Sequence, residues 1–168
     1  MKKSIVVFLL MAGLQSYAGN LSALFSYCTF DHPGQKPYVE TYLNITGNSA
    51  KLAGNANGKL QAKIEVQMVI RRDSAIVYFD KFNMLGPELP AGDSISPDFI
   101  DQHRVELPNG SYKLEMKIAD KVGGEKELNF SQDFKIDFPA DKITMADVEY
   151  LESFTKSGAA GVYTKNGY

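Results

Sequence analysis

Cysteine, histidine and tryptophan are nearly absent from this chain, and each shortage removes a class of chemistry. Cys28 is the only cysteine, so no intramolecular disulfide can form and stability must come from apolar burial. It sits in an apolar stretch with no basic neighbour, the setting of an inert thiol. His32 and His103 are the only histidines, and neither has a Cys or carboxylate beside it at ligand spacing. A zinc site needs three or four protein ligands, so no metal and no cofactor are expected. With no tryptophan, the aromatic platforms usual in carbohydrate binding would have to come from the nine Tyr and ten Phe. There is no Gly-x-Ser-x-Gly elbow and no Cys with a nearby His, so no catalytic residue is assigned and no enzyme is expected.

What is present starts with Met1-Lys2-Lys3, a compact apolar run through Met11, and Ser16-Tyr17-Ala18 before Gly19. A basic start, a short apolar run and small residues three and one before a cut are the layout of a bacterial secretory signal peptide, cleaved between Ala18 and Gly19. A membrane anchor would need roughly 20 apolar residues, and Gln15 and Ser16 end this run early. No second run could cross a membrane, so no transmembrane segment is expected after cleavage. Loss of residues 1–18 from the 168 leaves 150. Lys2 and Lys3 leave with them, taking the formal charge from −2 to −4. That argues against nucleic acid, whose phosphates need a basic surface. The protein is expected to be exported, to the periplasm or the cell surface.

The mature chain alternates apolar and polar residues with the period of a half-buried strand. Residues 107–120 set the pattern: Pro108-Asn109-Gly110 punctuates, then Tyr112, Leu114, Met116 and Ile118 alternate with Ser111, Lys113, Glu115 and Lys117. Residues 59–71 repeat it over six inward positions, Leu60, Ala62, Ile64, Val66, Met68 and Ile70. Further strands are predicted at 20–30, apolar on both faces and so buried on more than one side, and at 38–46, 75–85, 99–107 and 128–138. A bulge is predicted near Asp80-Lys81, where the alternation breaks. The breaker-rich 86–94 suits a crossing between sheets. Roughly seven strands with turns about every ten residues predict an all-β fold, an immunoglobulin-like β-sandwich spanning 19–139.

Residues 140–168 differ. They read as a linker, a segment at 143–154 that suits a strand or a weak helix, and a small flexible stretch before an Asn-Gly turn with no return strand. About thirty residues cannot bury a core of their own. Either they dock on the sandwich or they open a second β-rich unit that this chain truncates; the expectation is the second.

The motif-like stretches have plain readings. Gly54 to Lys59 superficially suggests a phosphate loop, but it is one residue short, Leu60 stands where a hydroxyl should be, and it joins strands; a hairpin turn is expected. Three Asn-x-Ser/Thr triplets mean little in a bacterial protein. Asp73-Ser74-Ala75 and Asp93-Ser94-Ile95 resemble the acceptor used for O-glycosylation by exported Bacteroidetes proteins, which makes Ser74 and Ser94 possible modification sites.

In order along the chain, Tyr38-Val39-Glu40-Thr41-Tyr42-Leu43, Asn55-Ala56-Asn57-Gly58-Lys59, Phe99-Ile100-Asp101-Gln102-His103-Arg104, Leu107 to Tyr112, and Phe138-Pro139-Ala140-Asp141-Lys142-Ile143 resemble the N-terminal region of the Bacteroidetes GWxTD domain-containing proteins. The defining Gly-Trp-x-Thr-Asp segment is absent, and in the family it lies further toward the C-terminus. The resemblance implies a partial family member and no enzyme. The functional expectation is an exported, non-enzymatic module for protein interaction or assembly in the bacterial envelope, with protein partners. The alternative is a carbohydrate-binding or accessory domain of a polysaccharide-handling protein, which would need solvent-facing aromatics in one plane.

Overall fold

A computed structural model describes residues 21–32, 34–124, 127–139, 141–150 and 155–156. The predicted cleavage point at Ala18 and Gly19, and the readings placed on 151–154 and 157–168, lie outside them. The described chain is all-β: β1 (Ala23–Phe30), β2 (Tyr38–Ile45), a single 3-10 turn (Gly47–Ser49), β3 (Leu52–Gly54), β4 (Leu60–Arg72), β5 (Ala75–Leu85), β6 (Phe99–Glu106), β7 (Gly110–Asp120) and β8 (Glu127–Ile136). That is one strand more than the periodicity marks, the addition being the three-residue β3. No helix among the described residues is long and apolar enough to cross a membrane.

The strands form two antiparallel sheets. One has the order β1-β2-β6; the other runs β3-β4-β7-β8, with β5 also paired to β4. Four hairpins, β1-β2, β3-β4, β4-β5 and β7-β8, stay within a sheet. The chain crosses between sheets after β2, again through 86–98, which contains the predicted crossing at 86–94, and a third time at Pro108-Asn109.

The alternation places the core. Along β4, Ala62, Ile64, Val66, Met68 and Ile70 are buried, and in β7 Ile118, Met116 and Leu114 stand opposite Val66, Met68 and Ile70. Val39, Leu43 and Ile45 of β2 and Val105 of β6 close over them from the other sheet. Removing this much apolar surface from water is the main term holding the two layers together. The turns are then fixed by specific bonds. The Tyr112 hydroxyl donates to the Pro108 carbonyl at 2.6 Å, and the Asn109 amide side chain exchanges two hydrogen bonds with the Phe138 backbone. Asp120, buried at the end of β7, accepts from the N–H groups of Lys51, Val122 and Gly123. Gly47 packs so closely on the carbonyls of Ser96 and Pro97 that a Cβ has no room, and its N–H donates to Asp98, tying two crossings together.

Two local expectations need correction. Strand β1 is not buried on more than one side: it pairs with β2 alone among the strands and lies at a sheet edge, with Leu24 72% exposed. Its apolar residues on one face, Phe25 and Tyr27, pack against Phe130 and Phe134 of β8 and close that side of the sandwich. The bulge in β5 is not at Asp80-Lys81. Ile70 pairs with Tyr78 and Arg71 with Ile76, so Val77 is the extra residue. The tight turn before it, where Asp73 has φ 54°, brings the strand back out of phase and the bulge restores the register. After it the alternation continues unbroken, and Asp80 shares the inward parity of Tyr78, Phe82 and Met84.

Beyond the sandwich, Ile143, Met145, Val148 and Tyr150 expose their side chains. The segment is nonetheless pinned, at Asp147 and by a hydrogen bond between Glu149 and Tyr42. Asp147 accepts from the Thr29 N–H and hydroxyl at 2.7 and 2.9 Å, and its own N–H donates to the Thr29 carbonyl.

Candidate functional site

Strand β5 is the element with two unusual surfaces. Its backbone ladder engages β4 on one side, and no named strand pairs with the other. Along it Ile76, Val77, Phe79 and Leu85 are exposed, Phe79 at 56%. An eleven-residue edge strand carrying large apolar side chains is a surface that solitary proteins normally blunt. Lys81 and Asn83 interrupt it, and the Lys81 ammonium is drawn toward Glu65 at 3.3 Å. The hydrogen bond from Lys121, and then that from Lys81, hold the Glu65 carboxyl below its usual range against the opposing effect of partial desolvation.

On its inward face β5 carries Asp80 to the side of the sandwich where β5 and β6 face each other. His103 of β6 meets it there. The His103 Nε2 lies 2.9 Å from Asp101 and its Nδ1 3.9 Å from Asp80, while the imidazole stacks on Phe82 with ring centroids 4.4 Å apart. The bond to Asp101, partly offset by burial and reinforced by the negative charges of Asp101 and Asp80, raises the histidine above its ordinary value of 6.5. Tyr78 is also raised, by burial first and then by Asp80. The cluster therefore sets two carboxylates about one imidazole, with the Tyr78 hydroxyl bonded to Asp80 and Thr41 opposite His103 on β2.

A second polar group sits on the outer face of the three-stranded sheet. Glu40 is 0% exposed and meets the Arg104 Nε at 3.2 Å. That guanidinium also lies over the Tyr38 ring, 5.8 Å from its centroid. Burial, then Glu40 and Glu149, push the neighbouring Tyr42 well above the usual tyrosine range.

Residues singled out from sequence fall elsewhere. Ser74 lies exposed in the β4-β5 turn and Ser94 exposed in the 86–98 connection; the fold does not bring them to a common site. Cys28 is partly buried, on the Glu40 face. In the Gly54 to Gly58 loop, Asn55 Oδ1 accepts from the N–H groups of Asn57 and Lys59, and Glu88 collects Asn55, Asn57 and Lys59. These bonds make it a locked hairpin, with Gly58 at φ 71°. Tyr112 stacks on Phe134 and Tyr27 tilts against it, at a depression of about 680 Å3 edged by Arg71, Lys113 and Lys135 and by Asp73 and Asp133. Tyr112 and Phe134 are buried, however, so they offer no platform to a sugar. Among the described residues no group of three His, Cys, Asp or Glu could hold a metal ion.

Sequence reading missed both polar groups. The signal for one was present: Phe99, Asp101, His103 and Val105 share a parity, which puts two polar residues on a face that must be inward. The Glu40–Arg104 pair had no signal, because it joins strands 64 positions apart.

No family model matches the chain, and no curated protein matches it. Among solved structures, one similar to it is a protein from Bordetella pertussis given the provisional name ApaA, at 13% identity over 72% of this chain and 97% of that one, with a TM-score of 0.35. A structural-genomics target designated SoR45 is similar at 11% identity over 79% of this chain and 97% of the other, with a TM-score of 0.33. Likenesses of this size assign neither family nor function.

Proposed function

We propose that the protein is an exported, non-enzymatic β-sandwich module for protein interaction or assembly in the bacterial envelope, and that β5 is the edge it offers. One observation carries this reading: β5 presents an unpaired strand edge together with exposed Ile76, Val77, Phe79 and Leu85. The occupant that fits is an extended segment of a partner protein, adding as a further strand with apolar side chains at alternate positions, since main-chain pairing supplies affinity and side-chain alternation supplies specificity. Export rests on the leader before Gly19. Membership of the GWxTD domain-containing proteins rests on the ordered motifs given above. A carbohydrate-binding role finds no comparable support, because among the described residues the exposed aromatics Phe79 and Tyr150 lie in separate segments, β5 and the stretch after β8.

The immunoglobulin-like type belongs to the same proposal. In immunoglobulin domains strands A, B and E share one sheet and C, F and G the other. The orders β1-β2-β6 and β5-β4-β7-β8 correspond to A-B-E and C′-C-F-G, with β3 as a short addition. A second support is Tyr112, near the start of the strand in the F position, whose hydroxyl returns to the backbone four residues upstream as in the tyrosine corner.

The test places a photo-crosslinking amino acid at position 79 in the native bacterium. The expected result is a discrete adduct to an envelope protein, on a mature chain beginning at Gly19, that is lost in an Ile76→Lys background. Retention of residues 1–18 would overturn the export reading. An adduct unaffected by Ile76→Lys, or none at all, would overturn β5 as the docking edge.

A further inference from the structure

We propose that His103, set between Asp101 of its own strand and Asp80 of the facing sheet and stacked on Phe82, is a proton-operated latch that holds the β5 and β6 sides of the sandwich together. The two sides of the molecule are built differently. At the β1 and β8 side, aromatic pairs bridge the sheets, Phe25 with Phe130 and Tyr27 with Phe134. At the β5 and β6 side the Phe99 ring lies against Gly86, and beside it His103 adds a polar bridge: a stacked ring on Phe82 and an approach of 3.9 Å to Asp80, both on β5. An aromatic bridge ignores pH, whereas an imidazole bridge between two carboxylates depends on the proton it carries.

The charged neighbours are few and of one sign. From β6 comes Asp101, at 2.9 Å, and from β5 Asp80, at 3.9 Å. Tyr78 lies beside Asp80 and keeps its proton, being raised by burial. From β2 the residue opposite His103 is Thr41, which is uncharged. At the level of Asp80 and Phe82, β4 contributes Met68 and Val66. Lys81 and Glu65 lie on the other face and pair with each other. No lysine or arginine side chain therefore competes for the two carboxylates from these strands, and the imidazole lies between them; Asp80 also accepts from the Lys81 N–H at 2.8 Å and from the Tyr78 hydroxyl.

The direction in pH follows from the raised value of His103 in the folded state. A group raised on folding adds stability that is complete below its unfolded value, near 6.5, and disappears as pH climbs through its folded value. The latch is closed in mildly acidic surroundings and released in alkaline ones. It stands whether or not β5 takes a partner.

The test is an NMR titration of the His103 ring, together with thermal unfolding of the natural protein, His103→Gln and Asp80→Asn in steps from about pH 5.5 to about pH 9. His103 should titrate above 6.5, and Asp80→Asn should lower that midpoint. The natural protein should unfold about 3 °C above His103→Gln at the acid end, with the gap closing as pH rises past the His103 midpoint. A midpoint at or below 6.5, or one indifferent to Asp80→Asn, would leave Asp101 acting alone within its sheet and overturn the latch. A gap that does not change with pH overturns it equally, and decides the matter if Asp80→Asn does not fold.

Discussion

Ile64→Asp and Leu114→Asp each unfold the domain, while Lys63→Asp and Lys113→Asp leave its thermal midpoint almost where it was. Ile64 and Leu114 are buried between the sheets; Lys63 and Lys113 are their immediate neighbours in sequence and are exposed on the opposite face. An ionised carboxylate without a partner costs several kcal/mol to bury, and a domain has only about 5–15 kcal/mol of stability to lose. A surface charge change costs within about 0.5 kcal/mol. Circular dichroism melts of the four variants make the comparison directly. Equal shifts for the inward and outward members of a pair would mean that the register of β4 or β7 is wrong by one residue.

Arg104→Met is expected to cost on the order of 3 kcal/mol, the lower end for breaking a buried ion pair, which lowers the midpoint by roughly 10 °C. Glu40 has no exposure to water, so it cannot recover by solvation what it loses from the guanidinium. The double variant Arg104→Met with Glu40→Gln should regain part of the loss, because no charge is then left stranded. Urea unfolding of the two single variants and the double closes the cycle. A loss below about 0.5 kcal/mol in Arg104→Met would mean that the other contacts of Glu40 are enough to hold it.

How much could be read in advance depended on the range of the interaction. Strands β4 and β7 were legible residue by residue, because burial on one face writes itself as a period of two. The turn chemistry was legible too: Pro108-Asn109-Gly110 and Gly54 to Gly58 fall where the chain reverses. The edge position of β1 was not, since an apolar residue facing a partner and one facing water, such as Leu24, look alike in a single sequence. The bulge was put at Asp80-Lys81 because a charged residue at an inward position reads as a phase error. It is instead a true inward residue, met by the imidazole of His103 from 23 positions away and by the Tyr78 hydroxyl. The pinning of Asp147 on Thr29 joins segments 118 positions apart and leaves no local trace.

The pairing of β2 with β6 also sets the order in which the chain can become a protein. Each of the four hairpins joins strands adjacent in sequence and can close soon after both its strands exist, within microseconds for an isolated pair. The first sheet cannot: the ladder from Tyr38 to Ile45 is completed by residues 99–106, after the whole β3 to β5 segment has been made. Long loops must be ordered before that contact repays them, which places such topologies among the slower folders, at milliseconds to seconds. Until residue 106 is available, β2 carries Glu40 without Arg104 and an inner row of Val39, Leu43 and Ile45 with one ladder partner missing. A chain emerging from its N-terminus therefore passes through an interval with β2 half-paired, and anything that shields that strand during synthesis raises the yield of folded molecules.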